Sequence, residues 1–171
     1  MQKLNLIIRP LEQRDIPEIT DAFQELGWDK PGTQYERYLA EQNSNLRDVC
    51  VALVDEKFAG YLTIAWASTY PPFRTAGTPE IMDFNVLPEF RRQGIGTALM
   101  DKAENEIAKV SLIAGIGVGL DSDYGAAQRL YILRGYIPDG RGVYHRGHYP
   151  TYGEHIIIDD DLAIFLTKEL K

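Results

Sequence analysis

Apolar and polar positions recur with two different periods along this chain, and the places where the period changes mark out its elements. Leu4 to Pro10 reads as a short strand. Ile16, Ile19, Ala22, Phe23 and Leu26 then fall at helical spacing. They follow Asp15-Ile-Pro-Glu18, which predicts a capped start with an early proline and an acid at the third position, and they precede Gly27 as a stop. A second helix is predicted from about Thr33 to Gln42. Arg47 to Val54 and Phe58 to Ala67 are β-rich runs joined by the polar Asp55 to Lys57, hence a hairpin. Ser68 to Pro79, with Pro71, Pro72 and Pro79, is predicted as an exposed loop. The apolar run Ile81 to Leu87 is a strand ended by Pro88, and Gly94 and Gly96 open a helix with Ala98, Leu99, Ala103, Ile107 and Val110 on one face.

In Ser111 to Leu120, period two puts Leu112, Ala114, Ile116, Val118 and Leu120 on one side. Ile113, Gly115, Gly117 and Gly119 fall on the other, so one face is bulky and the other nearly bare. Close packing of a helix on the glycines accounts for this; room for a ligand accounts for it too. Asp121 to Gly135 reads as a helix with acidic cap candidates and a glycine stop. From Ile137 a glycine-punctuated strand, a loop and a last strand over Leu162 to Leu170 should pair as a hairpin.

The chemistry concentrates where the strand ending at Leu87 turns into a helix. Such a turn aims unpaired backbone N–H groups at one point, backed by the positive end of the helix dipole, and favours an anion such as phosphate. Gly94 and Gly96 allow close approach, and Arg91 and Arg92 add charge. A dinucleotide fingerprint would need a third glycine where Leu99 stands, and a nucleotide P-loop would need Gly-Lys-Ser/Thr, which is missing.

Arg91-Arg92-Gln93-Gly94-Ile95-Gly96 closely resembles the Arg/Gln-x-x-Gly-x-Gly/Ala signature of the GNAT superfamily of acyl-CoA-dependent N-acetyltransferases. Ala127-x-x-Leu130-Tyr131-x-x-x-Gly135-Tyr136 is similar to that family's second signature, and the two stand in the family's order. The resemblance implies one α/β domain over residues 1–171, with a mixed, mostly antiparallel sheet flanked by helices and a cofactor cleft between two central strands. It implies acetyl-CoA as co-substrate, its pyrophosphate held by the loop of Arg91, Arg92, Gln93, Gly94, Ile95, Gly96 and Thr97. The pantetheine would lie along the backbone of Phe84, Asn85 and Val86. The family commonly has asparagine seven residues before the tyrosine of the second signature; here that position is Tyr124, so the contact does not carry over, and Gln128 is the nearest substitute.

Acyl transfer from a thioester to an amine needs a neutral nucleophile, stabilisation of the developing oxyanion and a proton for the departing thiolate. Tyr131 is the candidate acid, since a phenol is protonated at neutral pH. Glu80 is the candidate base, by position the glutamate that some family members use, with Asp83 as its rival. Strict alternation sets these two on opposite faces and places Met82, Phe84 and Val86 with Glu80. Trp28 and Trp66 are candidates for the acceptor side, as is Tyr35. A non-catalytic acyl-CoA-binding sensor or assembly domain of the same fold is the alternative.

Composition narrows the partners. A net charge of −7 argues against general nucleic-acid binding and suits a cationic acceptor. The one cysteine, Cys50, lies in an apolar run and reads as a buried strand residue, compatible with a reducing compartment. The first residues lack the apolar core of a signal peptide and no segment is long enough to span a bilayer, so a soluble, cytoplasmic protein with no membrane partner is expected. His145, His148, Glu154 and His155 match no standard metal spacing, and no metal is expected. The substrate class is a small-molecule or peptide amine, and a homodimer is allowed.

Overall fold

The computed structural model describes residues 5–171. Leu4, where the predicted first strand begins, lies outside the described residues, as do the first residues of the segment read as no signal peptide. The elements are, in order, β1 (Leu6–Pro10), α1 (Ile16–Glu25), α2 (Gly32–Asn43), β2 (Arg47–Val54), β3 (Lys57–Ala65), α3 (Pro71–Ala76), β4 (Glu80–Val86), α4 (Ile95–Ala108), β5 (Ile113–Gly119), α5 (Gly125–Leu133), β6 (Ile137–His145) and β7 (Leu162–Glu169). They group into two compact units, each assembled from separate stretches of chain. One takes residues up to Trp66 and Ile81–Glu106, and the other takes Ala67–Glu80 and Ile107–Lys171.

In the first unit β1, β2, β3 and β4 are successive neighbours, and β1–β2 and β2–β3 are antiparallel. The predicted hairpin forms with a two-residue turn, Asp55 and Glu56, both at positive φ (48° and 69°). This is the turn whose twist matches paired strands. Helix α1 buries Ile16, Ile19 and Phe23, and these meet Tyr35 of α2, Val51 of β2 and Tyr61 of β3 in one core. Cys50 is buried in β2, and its burial pushes the thiol up to about 11.

The start of α1 differs from expectation. The Asp15 side chain does not cap α1. It accepts the Glu12 N–H at 2.8 Å, closing the 3-10 turn before the helix, and its two oxygens take the Arg9 guanidinium at 2.7 and 2.6 Å. A bidentate guanidinium outcompetes a neutral amide for a carboxylate. Glu18 instead accepts the Phe58 N–H at 2.8 Å, fastening α1 to β3.

In the second unit β7 lies between β5 and β6, antiparallel to both, so the predicted terminal hairpin forms. The stretch expected as an exposed loop contains α3 and buries Ser68, Tyr70, Phe73 and Thr78. Prolines at the first helical positions need no acceptor for a missing N–H and bring φ already set. Gly77, at φ 66°, then closes the helix, its N–H donating to the Arg74 carbonyl at 3.2 Å. The bare face of β5 is covered by rings. A Cβ on Gly115 would stand 2.3 Å from the Phe73 ring, and one on Gly119 2.4 Å from the Tyr124 ring. The glycines are there to admit those side chains.

Candidate functional site

Beyond β4 the chain makes a 3-10 turn at Pro88–Phe90 and enters the loop that opens α4. Arg92 at φ 58° and Gly94 at φ 82° turn the backbone through left-handed conformations. The first N–H to donate back into the helix is that of Ala98, to the Gly94 carbonyl at 2.9 Å; Ile95, Gly96 and Thr97 precede it. Arg91 to Gly94 and Thr97 are exposed while Ile95 is buried as the anchor. The loop is tied back to β4, for the Arg91 Nε donates to the Val86 carbonyl at 3.0 Å. A Cβ on Gly96 would be 3.1 Å from the Phe84 ring and 3.7 Å from Val86 Cγ2. The residues expected to serve one cofactor, 84–86 and 91–97, are thus brought together within one unit. A glycine loop, a helix start and an exposed arginine pair are a donor set that fits a diphosphate.

The same strand carries a second polar centre. Asp83 stands at φ 49°, a conformation costing an ordinary residue about 1–2 kcal/mol, and it interrupts the alternation counted from Glu80. Its Oδ1 accepts from Lys30 Nζ at 2.7 Å and Asn85 Nδ2 at 2.9 Å. Its Oδ2 accepts from Gln34 Nε2 at 2.8 Å, from Tyr38 OH at 3.1 Å and, at short range, from Tyr61 OH. Lys30 Nζ also lies 5.6 Å from the Phe23 ring centre and 5.8 Å from that of Tyr61. Burial, and then the Asp83 charge, pushes the Tyr38 phenol up to about 12 and raises that of Tyr61 further. Both phenols therefore stay donors.

In the second unit the buried Glu80 accepts a short hydrogen bond from the Ser68 hydroxyl, whose oxygen accepts the Tyr70 N–H at 2.9 Å. Tyr70 OH donates to Asp139 at 2.7 Å and meets Tyr149 OH at 2.9 Å. Tyr131 is buried on α5, 6.1 Å from the Tyr136 ring, and burial, with a smaller push from Tyr124, raises its phenol above the ordinary value. Tyr124 donates to Asp160 at 3.0 Å, while Gln128 Nε2 donates to the Gly119 carbonyl at 2.8 Å. An open groove of about 520 Å³ is lined by Pro71, Pro72, Thr75, Arg141, Tyr144 and Tyr149. His145 and His148 pair with Asp159 and Glu154, and among the described residues no group of three or more His, Cys, Asp or Glu is arranged for a metal.

Trp28 is partly exposed and stacked on Phe23 at 5.7 Å, Trp66 is half-buried at the end of β3, and Tyr35 is fully buried in the core. Sequence reasoning missed Lys30, Gln34, Tyr38, Tyr61 and Ser68. A signal was available for a polar cluster, though not for its members: an aspartate inside the apolar run Ile81 to Leu87, and tyrosines on buried faces, must find partners.

A profile of the acetyltransferase (GNAT) family matches residues 14–136. No curated protein matches the chain. Among solved structures it is similar to an N-acetyltransferase from Staphylococcus aureus, with a TM-score of 0.71 and 17% identity over 98% of this chain and 99% of that one. The PaiA N-acetyltransferase of Thermoplasma acidophilum, solved in complex with coenzyme A, gives 0.67 and 14% over 96% and 99%. The ribosomal-protein-S18-alanine N-acetyltransferase of Escherichia coli gives 0.67 and 18% over 96% and 94%. These likenesses show the fold, an α/β domain with a mixed, seven-stranded sheet flanked by helices.

Proposed function

Because the chain belongs to the GNAT acetyltransferase family, we propose that it moves the acetyl group of acetyl-CoA to a primary amine by direct nucleophilic attack. The observation that carries this reading is the loop of Arg91 to Thr97, with its left-handed Gly94 and its tie from Arg91 to β4. Acetyl-CoA supplies the activated acetyl group. The loop amides and Arg92 bind its diphosphate, and the backbone of Phe84 to Val86 runs beside the pantetheine. Tyr131 is the acid: burial keeps its phenol neutral across the physiological range, and its proton goes to the departing sulfur. Glu80, with the Ser68 hydroxyl already donating to it, receives the ammonium proton that frees the nucleophile. Trp28 and Trp66 stand as acceptor-side contacts. A single buried thiol suits a reducing, cytoplasmic setting.

The test is thiol release from acetyl-CoA against a panel of amines, with calorimetry of coenzyme A binding beside it. Tyr131→Phe is expected to lower kcat by about 10²–10³-fold with coenzyme A affinity unchanged. Coenzyme A binding without turnover on any amine would favour the sensor reading, and no binding would remove the loop's assigned role.

A further inference from the structure

We propose that Asp83, Tyr61 and Phe23 form a binding site for a primary alkylammonium group, filled here by Lys30 as an internal occupant that an aminoalkyl acceptor displaces. Three observations carry this. Lys30 Nζ has what a bound ammonium requires: a carboxylate oxygen at 2.7 Å, a phenol oxygen at 3.3 Å and two aromatic faces at 5.6 and 5.8 Å. The carboxylate is held independently of Lys30, for Gln34, Tyr38, Tyr61 and Asn85 all donate to it. A partly buried carboxylate needs donors in any fold, but four besides Lys30 keep this one oriented when the lysine leaves, as a receptor requires, and the left-handed backbone at Asp83 is the kind of local strain that marks one.

The third observation concerns Lys30. It sits between α1 and α2, outside any helix or strand and three residues after Gly27 at φ 71°, with its own N–H donating to the Trp28 carbonyl at 2.9 Å. Its side chain and that of Asp83 each keep 18% of their surface exposed, so the pair is reachable from solvent. The occupant is an unbranched aminoalkyl chain, which selects the chemistry of the displacing ligand. A linear ω-amine, such as a lysine side chain or an aliphatic diamine, can follow the same path past the rings. An α-amine brings a carbonyl to the position of a methylene, one carbon from the ammonium. The proposal rests on the acetyl-transfer reading only in calling that amine an acceptor.

The experiment is run without acetyl-CoA, on the full chain, with n-butylamine, 1-butanol and glycinamide as probes. Calorimetry measures binding, and proton–carbon spectra follow the ε-methylene of Lys30, assigned by its loss in Lys30→Ala. Butylamine is expected to bind the parent protein, to move the Lys30 signal towards that of a solvated lysine, and to bind Lys30→Ala at least tenfold more tightly. Butanol should not bind, glycinamide should bind at least tenfold more weakly, and Asp83→Asn should abolish butylamine binding. Binding to Lys30→Ala alone, with the parent's Lys30 signal unmoved, would mean that the amine merely fills an engineered hole and would overturn the proposal. Unchanged binding to Asp83→Asn would overturn it as well; if that variant does not fold, the Lys30 signal of the parent decides. In a second step with acetyl-CoA added, butylamine bound as described but no amine of the panel acetylated would remove the acetyl-transfer reading and leave this one standing. Turnover on butylamine in that step, with Lys30 unmoved in the first, would do the reverse.

Discussion

The loop at Arg91 to Thr97 and the cluster around Asp83 belong to the same unit, and each is proposed to bind a charged group. They are built in opposite ways. The loop is one continuous stretch whose donors are backbone amides, so glycine spacing writes it directly into the sequence. The cluster draws Lys30 from a connecting segment, Gln34 and Tyr38 from α2, Tyr61 from β3 and Asp83 and Asn85 from β4, and exists only once those elements have packed. A site made of contiguous backbone can lose function without losing the fold. A site made of side chains from four places is part of what holds the fold together.

Removing Asp83 should therefore have the largest effect, and on stability. Asp83→Ala leaves a partly buried ammonium and four further side-chain donors beside a hole, a loss of about 3 kcal/mol. That corresponds to a thermal midpoint roughly 6–12 °C lower for a domain of this size. Coenzyme A affinity of the protein that stays folded should change by less than about twofold; a parallel fall in affinity would dissolve the contrast. Gly94→Val is the opposite experiment. A β-branched residue at φ 82° costs about 1–2 kcal/mol, and an exposed loop relieves it by moving its amides. Calorimetry should show coenzyme A bound about tenfold more weakly, with the melting midpoint shifted by only a few degrees.

Smaller effects sharpen the picture. Replacing both Arg91 and Arg92 with alanine should weaken coenzyme A by about 3–10-fold at low ionic strength, and the salt dependence of the remaining affinity should be shallower. The pair of Arg9 and Asp15 is an intermediate case, six residues apart in sequence yet dependent on a fold. Burial pushes the Asp15 carboxyl up, but the hydrogen bonds from Arg9 and the Glu12 N–H outweigh it and hold it below the usual carboxylate range. A carboxyl depressed in the native state stabilises above its unfolded value of about 4 and loses that contribution as pH falls through its native value. Arg9→Met should accordingly cost about 1 kcal/mol near neutral pH. Its unfolding curve and that of the parent should converge in acid.

The same division explains what was legible beforehand. Both strands of the first hairpin, the glycine turn into α4, the tyrosine of α5 and the terminal hairpin are local patterns, and each stands where the pattern puts it. Helix α3 was hidden because prolines that forbid a helix interior are welcome at its first turn. Asp15 was hidden because an amide and a guanidinium compete for one carboxylate, and only folding brings the guanidinium near. The partners of Asp83 were hidden for a broader reason. A buried acid announces that it needs donors, but period and propensity do not say which tyrosine, amide or lysine the chain will deliver.

Cys50 adds one practical consequence. The chain has one thiol, shielded within β2 and held protonated to about 11, so a disulfide-exchange dye meant to count released coenzyme A will meet almost no background from the enzyme. The rate at which that dye does modify the native protein measures how often β2 comes open, and can serve as a clock for excursions of that unit out of its native packing.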